Sequence, residues 1–212
     1  MDHYNVLIAT PGRNVEMPYL KSLMATIEVL QEKNISYKFI NQYSSQVSAA
    51  REGTIMNDRF LDITSNKPLL GQATYDKVLW IDSDMSWTPE DFLKLYESEK
   101  DIVSGVYVSD HGVLMYTPSS MEHLQQEDLV EITHAGFGFI CVKQGVFESM
   151  TRPWFETKYA VTTINGAQHL VPYGEDYSWC VKAREAGFKI YLDPTVRLVH
   201  HKNIELKVPQ AK

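Results

Sequence analysis

The fold class of this chain is indicated by one stretch, KVLWIDSD at residues 77–84. Its Val-Leu-Trp-Ile run is apolar throughout and predicts a short strand covered on both faces, as the central strands of parallel sheets are. The strand leads directly into two aspartates that are one residue apart. Because side chains alternate along an extended segment, we expect Asp82 and Asp84 to point in the same direction.

Outward from this strand, short apolar runs alternate with amphipathic stretches, which is typical of an α/β domain. Further strands are predicted at residues 4–9, 36–40, 101–107, 139–142, 189–192 and 196–199, and helices at 17–32, 46–60, 144–150 and 176–186, with another opening at Thr88. Residues 108–131 and 151–173 have no clean period and are expected to be irregular. We find no repeat, low-complexity tract or linker. One domain is therefore expected over residues 1–212, either a complete short protein or a domain of a longer chain.

Two of the predicted helices have specific sequence signals. In helix 17–32, the apolar positions share one face, which is expected to be buried: Leu20, Leu23, Met24, Ile27 and Leu30. The helix that opens at Thr88 has that residue as its N-cap, Pro89 at the first helical position and Asp91 at the third.

Composition and charge exclude several classes of protein. The chain has 212 residues, 44% of them hydrophobic, with 20 Lys and Arg against 27 Asp and Glu, a formal net charge of −7. This acidic balance argues against a nucleic-acid partner, since such proteins usually carry a basic excess. The apolar runs are too short to cross a bilayer and the N-terminus lacks a signal-peptide profile, so a cytoplasmic location is expected. Cys141 and Cys180 have no metal-type spacing and are predicted to be reduced, buried thiols.

The two aspartates at the end of the central strand require a partner. Like charges held close together resist ionisation unless a cation or a hydrogen-bond donor lies between them. A hard divalent cation such as Mg²⁺ or Mn²⁺, which prefers oxygen ligands, resolves that conflict, and open α/β sheets bind ligands at the carboxyl ends of their strands. An Asp-rich turn that caps the following segment is the alternative interpretation.

Residues 81–85, IDSDM, resemble the DxD motif of the GT-A glycosyltransferases. Three further segments follow the order in which that family places them: TPGR at 10–13, where its nucleotide-binding loop lies, GEDYSW at 174–179, similar to its acidic segment, and VRLVHH at 196–201, similar to the terminal strand whose histidine completes the metal site. The resemblance covers residues 4–201. It implies a single-domain, Rossmann-like GT-A fold with a central, mostly parallel sheet, flanking helices and a small antiparallel portion.

The resemblance also implies an activity, the metal-dependent transfer of a glucose-like or rhamnose-like sugar from a UDP-activated donor to a glycan or glycoprotein. Asp82, Asp84 and His200 would hold Mn²⁺ or Mg²⁺ on the diphosphate. An ion bound there neutralises the charge that develops on the leaving group. Asp82 alternatively reaches the ribose, and His201 is the second choice for the histidine ligand.

Further residues are assigned to the two substrates by the same resemblance. The predicted donor-binding residues are Thr10, Pro11, Gly12, Arg13, Arg51, Asp82, Ser83 and Gly136, and the predicted catalytic pair is Glu175 and Asp176. Structural alternatives remain open: the acidic pair could cap a helix N-terminus, Arg51 could be an exposed helix residue, and Gly136 could belong to an ordinary turn. Flat faces for a sugar ring could come from Trp154, Tyr173 and Trp179, or these could be core residues.

Two other functions share parts of this pattern. A sugar-phosphate nucleotidyltransferase would need a glycine-rich basic loop after the first strand, where this chain offers only Gly12 and Arg13. The other is a non-catalytic module that recognises glycans, against which the two aspartates, the acidic pair and the terminal histidine argue. The expected partners are a nucleotide-sugar donor, a glycan or glycoprotein acceptor and further domains of any longer chain. The compact size resembles that of small viral members of the family.

Overall fold

The chain folds around a seven-stranded sheet, and a computed structural model describes residues 1–58 and 65–202. The strands are β1 (Asp2–Ala9), β2 (Tyr37–Ile40), β3 (Ala73–Ile81), β4 (Met85–Ser86), β5 (Ile102–Val106), β6 (Tyr116–Thr117), β7 (Val130–Ile132), β8 (His134–Ala135), β9 (Phe139–Lys143), β10 (Lys158–Ile164), β11 (Ala167–Tyr173), β12 (Ile190–Arg197) and β13 (Val199–His200). The helices are α1 (Met17–Glu32), α2 (Val47–Met56), α3 (Pro89–Glu97) and α4 (Glu175–Glu185), with 3₁₀ turns at Pro68–Gly71 and His123–Gln125. Within the described ranges, no helix has the length and apolar character needed to cross a membrane.

The central sheet has the strand order β2-β1-β3-β9-β5-β12-β7. Parallel pairing joins β1 to β2, β1 to β3 and β5 to β12, whereas β9 runs antiparallel to β3 and β5, and β7 runs antiparallel to β12. Five of its strands therefore run in one direction and two in the other. This mostly parallel sheet with an antiparallel portion confirms the predicted α/β class.

Strand β3 is covered on both faces, as its apolar run predicts. Val78 and Trp80 pack into one core cluster with residues of α2 and α4, while Leu79 and Ile81 pack into another with residues of α1 and α3. All four side chains are fully buried. Their alternation along β3 places a layer of helices on each face of the sheet and leaves the residues after Ile81 at its carboxyl end.

Helix α1 has the predicted bounds, and its predicted face is buried only in part: Leu30 is fully buried and Leu23 packs against the core. Tyr19 and Thr26 are buried, whereas Leu20 and Met24, which the apolar pattern places in the core, are exposed. The cause is Trp87, whose ring packs edge-on against Tyr19 with centroids 5.0 Å apart and whose indole N–H donates to the Thr26 hydroxyl at 2.9 Å. A buried indole usually has such a partner, and these contacts with Trp87 hold Tyr19 and Thr26 in the core.

Residues 158–173 form a hairpin of β10 and β11, so the predicted loop is wrong. Seven residue pairs are in register on either side of the turn at Asn165 and Gly166. Both turn residues have positive φ, 51° and 81°, as a type I′ turn requires, and Asn-Gly is its strongest local signal. The apolar side chains Val161 and Leu170 stay exposed, so the side chains of the hairpin whose burial the structure describes show no buried face for periodicity to reveal.

The helix predicted at 144–150 is also wrong, because these residues form turns. Gly145 has φ +97°, a left-handed conformation that an α-helix does not contain, and its N–H donates to Glu148 Oε2 at 2.9 Å. Helix α2 is shorter than predicted, since Asn57 adopts a left-handed conformation directly after Met56. Residues 59–60 of that predicted helix lie outside the described residues.

Near the C-terminus, one strand replaces two predicted ones. Strand β12 continues through Asp193 and Pro194 with a register shift between Leu192 and Arg197. The two-residue strand β13 follows and pairs antiparallel with β4. This pairing brings the C-terminal segment to the residues that follow β3.

Helix α3 is capped as its sequence predicts, which gives a test of local stability. Asp91 N–H donates to the Thr88 hydroxyl at 3.2 Å, and Thr88 N–H donates to Asp91 Oδ2 at 2.9 Å. Thr88→Ala is expected to lower the free energy of unfolding by about 1 kcal/mol, measured by urea denaturation. Thr88→Ser keeps the hydroxyl and should stay within about 0.5 kcal/mol of the wild type. Equal losses in both variants would show that the hydroxyl is not the stabilising group.

Candidate functional site

The residues after β3 form the centre of the candidate site. Asp82 N–H donates to the Gly138 carbonyl at 3.0 Å, and in the tight turn that follows Met85 N–H donates to the Asp82 carbonyl at 3.1 Å. Met85 begins β4 and lies opposite His200 of β13. The β4–β13 pairing therefore carries His200 to Asp84, its neighbour in space across 116 residues of sequence.

Asp84 and His200 face each other through two atoms that can both accept a hydrogen bond. His200 Nδ1 lies 2.7 Å from the Val108 carbonyl oxygen, which can only accept, so Nδ1 carries the ring proton. Nε2 of the neutral ring is then a lone pair, and it lies 3.2 Å from Asp84 Oδ2. Lys202 Nζ lies 2.8 Å from the same oxygen. Lys202 therefore supplies one positive charge at this carboxylate, and an imidazole anchored through Nδ1 is a common metal ligand.

Asp82 does not complete a cluster with this pair, although the sequence predicts a metal set of Asp82, Asp84 and His200. In the part of the chain that the structure describes, no three His, Cys, Asp or Glu side chains gather where one ion could contact them all. Asp82 contacts Arg51 instead, with Nη2 3.1 Å from Oδ1 and 3.3 Å from Oδ2. The positive partner of Asp82 is therefore a guanidinium.

Arg51 connects three elements of the fold at this site. It lies in α2, is 5% exposed, and donates from Nε to Glu175 Oε1 at 3.0 Å, while Nη2 meets Asp82. Burial alone would lower the pKa of Arg51, but the carboxylates of Asp82 and Glu175 raise it above its ordinary value. The interpretation of Arg51 as an exposed helix residue is wrong. Among the described residues its Nη1 has no hydrogen-bond partner, so the guanidinium keeps a donor for a ligand.

Two acidic side chains near Arg51, Asp82 and Asp176, have raised pKa values. Burial raises the pKa of Asp82, an effect that Arg51 opposes and that Asp84 and Glu175 increase. The Asp82 side chain is 30% exposed, so water moderates this shift. Burial and then the neighbouring Glu175 raise the pKa of Asp176, again against Arg51. A carboxylate with a raised pKa is suited to accept a proton near neutral pH.

A first cleft, of about 290 Å³, lies beside these carboxylates. It is lined by the loops after β1 and β2, the start of α2 and the residues after β3, namely Pro11, Gly12, Tyr43, Ser44, Ser45, Val47, Ala50, Arg51, Asp82, Ser83 and Asp84. Gly12 has φ +142°, and a Cβ there would lie 3.2 Å from the Ser83 hydroxyl, so the close approach of these loops requires glycine. The Arg13 guanidinium lies 6.0 Å from the centre of the Tyr43 ring, next to this cleft.

A second pocket, of about 200 Å³, contains Asp176. Its lining comes from three segments, Leu114, Met115, Tyr116 and Thr117, then His134, Ala135 and Gly136, then Asp176 and Tyr177. Asp176 Oδ1 accepts the Tyr177 N–H at 2.7 Å. Glu175, one residue earlier, is held by Arg51. The predicted acidic pair is thus divided between two environments, with Glu175 against the guanidinium and Asp176 in the pocket.

The glycines before β9 make room for Tyr107. A Cβ on Gly136 would lie 2.1 Å from the Tyr107 hydroxyl oxygen, and one on Gly138 would lie 2.6 Å from its Cζ. Gly138 N–H donates to that hydroxyl at 2.9 Å. Gly136 lines the second pocket rather than the first cleft, so the structure separates it from the other predicted donor-binding residues.

Three other predicted residues lie in the core, away from both cavities. Thr10 is fully buried, and its hydroxyl is hydrogen-bonded to the hydroxyl of Tyr19. Trp154 and Trp179 are fully buried as well, so they do not offer faces to a sugar ring. Of the three aromatic candidates, Tyr173 alone reaches the second pocket's lining, through a ring stack on Tyr177 at 4.5 Å.

Alternation along the C-terminal segment decides which of its residues reach Asp84. His200 and Lys202 lie on one side of the extended chain, whereas His201 Nε2 lies 2.7 Å from the Ser86 hydroxyl. Sequence reasoning missed Lys202, although its spacing of two from His200 is the signal for a shared side. Tyr107, which packs edge-on against His200 at 5.7 Å, was also missed and has no local signal.

Comparison with known proteins identifies the fold. No protein-family model matches the chain, and no curated protein matches it in sequence. Among solved structures, A197 from STIV is similar over 100% of both chains, with a TM-score of 0.53 and 18% identity. The catalytic domain of Drosophila β1,4-galactosyltransferase 7, in complex with xylobiose, is similar over 96% of this chain and 72% of its own, with a TM-score of 0.54 and 11% identity.

GalNAc-T7 with UDP, GalNAc and Mn²⁺ is a third similar structure. The likeness covers 95% of this chain and 44% of GalNAc-T7, with a TM-score of 0.54 and 12% identity. At such low identities the likeness concerns the fold alone. That fold is GT-A-like, the fold of glycosyltransferase catalytic domains, which confirms the predicted fold class.

Asp176→Asn is expected to stabilise the protein at neutral pH. Because the pKa of Asp176 is raised in the folded protein, the native state binds this proton more tightly than the unfolded chain, and ionisation costs stability as the pH rises. The gain should therefore be present at about pH 7 and vanish below about pH 4, where the unfolded carboxyl is protonated too. Urea denaturation across this range measures it, with the exposed Glu99→Gln as control. No gain, or an equal gain in the control, would contradict the raised pKa.

Proposed function

We propose that the protein is a glycosyltransferase that moves a sugar from a UDP-activated donor to a hydroxyl of a glycan or glycoprotein. The observation that carries this proposal is the contact of the Asp84 carboxylate with the His200 imidazole, whose Oδ2 and Nε2 lie 3.2 Å apart at the carboxyl end of the sheet. The GT-A-like fold supports it, since open α/β sheets bind ligands at this edge. GalNAc-T7 holds UDP and Mn²⁺, which favours UDP as the nucleotide here, with a glucose-like or rhamnose-like sugar as the group transferred.

Asp84 and His200 are the proposed protein ligands of Mn²⁺ or Mg²⁺. The residues fit such an ion because Val108 holds the Nδ1 proton of His200, which leaves Nε2 as a lone pair directed at a carboxylate. Lys202 places an ammonium at the same carboxylate, so a bound ion would replace this ion pair. When bound, the ion offsets the negative charge that develops on the departing diphosphate. We assign Asp82, which is held by Arg51, to the ribose or to a water-mediated contact.

The first cleft is the proposed donor site. Gly12 and Ser83 both line this cleft at the ends of the strands, and their close approach places the loop after β1 beside the two aspartates. Tyr43 presents a ring for the base, with Arg13 beside it. Arg51 Nη1, which has no partner among the described residues, is a donor available to the diphosphate or the sugar.

Asp176 is the proposed acceptor of the proton from the reacting hydroxyl. Its raised pKa and its place in the lining of the second pocket suit that role, because a general base works best when its pKa approaches the working pH. Glu175 is assigned a different task. Its ion pair with Arg51 at 3.0 Å makes it a positioning residue that keeps the guanidinium between the two cavities.

Calorimetric titration of UDP in Mn²⁺ and in EDTA tests the metal assignment. Asp84→Asn and His200→Gln should each weaken Mn²⁺-dependent UDP binding by about 10–100-fold, because the first removes the negative charge of the carboxylate and the second removes the imidazole nitrogen. Asp76→Asn, in the same strand as the run that leads to Asp84 but near its other end, is the matched control and should bind UDP as the wild type does.

The outcomes separate the proposed function from its competitors. If neither EDTA nor Asp84→Asn changes the affinity for UDP, the proposed metal site is contradicted. Binding of GDP in place of UDP would change the donor class while keeping the activity. A failure of both nucleotides to bind would contradict the transferase and favour a non-catalytic glycan-binding module.

A further inference from the structure

His134 lies in β8 and lines the second pocket together with Asp176. Its ring stacks on Tyr177, with centroids 3.8 Å apart and planes 8° from parallel, and Tyr177 stacks in turn on Tyr173. The residue is 9% exposed. Three stacked rings leave the imidazole little freedom to turn, so the positions of its two nitrogens are fixed by the fold.

A chain of hydrogen bonds determines which nitrogen of His134 carries the proton. The Thr133 hydroxyl donates to the Thr117 carbonyl oxygen at 2.9 Å, since a carbonyl can only accept. The same hydroxyl oxygen lies 2.9 Å from His134 Nδ1. Because the only proton of the Thr133 hydroxyl is donated to the Thr117 carbonyl, its oxygen accepts a hydrogen bond from His134 Nδ1–H. Nε2 is therefore the lone pair of the neutral ring.

The lone pair on His134 Nε2 has no hydrogen-bond donor within reach among the described residues. Among the described residues, Nε2 of His134 has no hydrogen-bond partner, and it is closed to bulk solvent. Burial, with a smaller contribution from Arg184, lowers the pKa of His134 to about 4, so the ring does not gain a proton near neutral pH. Buried acceptors without a partner are rare and costly in folded proteins, which makes a ligand donor at this atom favourable.

We propose that His134 binds the acceptor sugar, with Nε2 accepting a hydrogen bond from a hydroxyl next to the one that reacts. The proposal rests on the proposed function, since it takes the second pocket as the acceptor site. The His134 ring and the Asp176 carboxylate both belong to the lining of this pocket, with apolar side chains such as Leu114 and Met115 beside them. Nε2 is buried in this structure, so the proposed contact requires the lining over it to shift when the sugar binds. A ligand that contacts both His134 Nε2 and the Asp176 carboxylate needs two hydrogen-bond donors on a small molecule with an apolar face. A sugar ring with two free hydroxyls is that class of substrate.

The test titrates simple glycosides into the full chain. Methyl glycosides of glucose, galactose, mannose, xylose and rhamnose are the probes, followed by NMR with the protein saturated with UDP and Mn²⁺. His134→Phe keeps an aromatic ring for the Tyr177 stack but lacks Nε2, and should weaken glycoside binding about tenfold. His134→Gln retains an acceptor and should restore most of the affinity. His111→Phe, at a largely exposed histidine, is the matched control.

Two readouts in the wild-type protein need no variant. Among mono-deoxy derivatives of the tightest-binding glycoside, one should bind about tenfold more weakly to the wild type and lose nothing further in His134→Phe. The ¹⁵N resonance of His134 Nε2 should shift when the glycoside binds. An unmoved resonance, equal affinities in wild type and His134→Phe, or no glycoside binding at all would overturn the proposal, and a buried water would then be the partner of Nε2.

Parallel titrations without UDP separate this inference from the proposed function. If UDP fails to bind while glycosides bind through His134, the transferase assignment falls and the sugar-binding role of His134 stands. If UDP binds with Mn²⁺ but the His134 variants bind glycosides as tightly as the wild type, the donor site is supported and the proposed role of His134 is contradicted.

Discussion

The buried Arg51 guanidinium is the interaction on which the rest of the site depends. It lies 3.1 Å from Asp82 and 3.0 Å from Glu175, and so joins α2 to the end of β3 and the start of α4. Removing one partner from such a buried set leaves an uncompensated charge, at a cost of about 3–5 kcal/mol. Because Asp82 and Glu175 are committed to Arg51, Asp84 and Asp176 remain available for other contacts. One cation thus decides which two of four neighbouring carboxylates meet ligands.

Two histidines add directionality to this arrangement. His200 Nδ1–H donates a hydrogen bond to the Val108 carbonyl, and His134 Nδ1–H donates one to the Thr133 hydroxyl. In both rings, contacts within the protein set the tautomer and leave Nε2 as a lone pair. One lone pair lies beside Asp84 and the other belongs to the lining of the second pocket. Both cavities therefore favour partners that carry positive charge or polarised hydrogen atoms, as a metal-bound diphosphate and a sugar ring do.

Local sequence predicts elements well where their partners are local, as in the bounds of α1, the burial of β3 and the cap of α3. Errors arise where a residue distant in sequence determines which side chains are buried. In α1, contacts with Trp87 hold Tyr19 and Thr26 in the core. The Asn165-Gly166 pair is a sequence signal for a hairpin turn. Its strands show no buried face among the side chains whose burial is described, so the alternation of apolar and polar residues that identifies a strand is missing. The motifs name the polar residues of the site, yet not their pairing. Asp82 meets Arg51 across 31 residues and Asp84 meets His200 across 116, and only the folded chain decides those partners.

Lys202 gives Asp84 a resident counter-ion. The Lys202 and Asp84 side chains are 45% and 28% exposed, and an ion pair this open contributes at most about 1 kcal/mol and is weakened by salt. A divalent ion that bound Asp84 would therefore replace the Lys202 ammonium as its counter-ion, rather than bind a carboxylate that has no counter-ion. Under the proposed function, the ammonium would return to Asp84 when the ion left with the nucleotide, and the carboxylate would be compensated at each stage. The affinity of the site for a divalent ion would then be set by the difference between two cations.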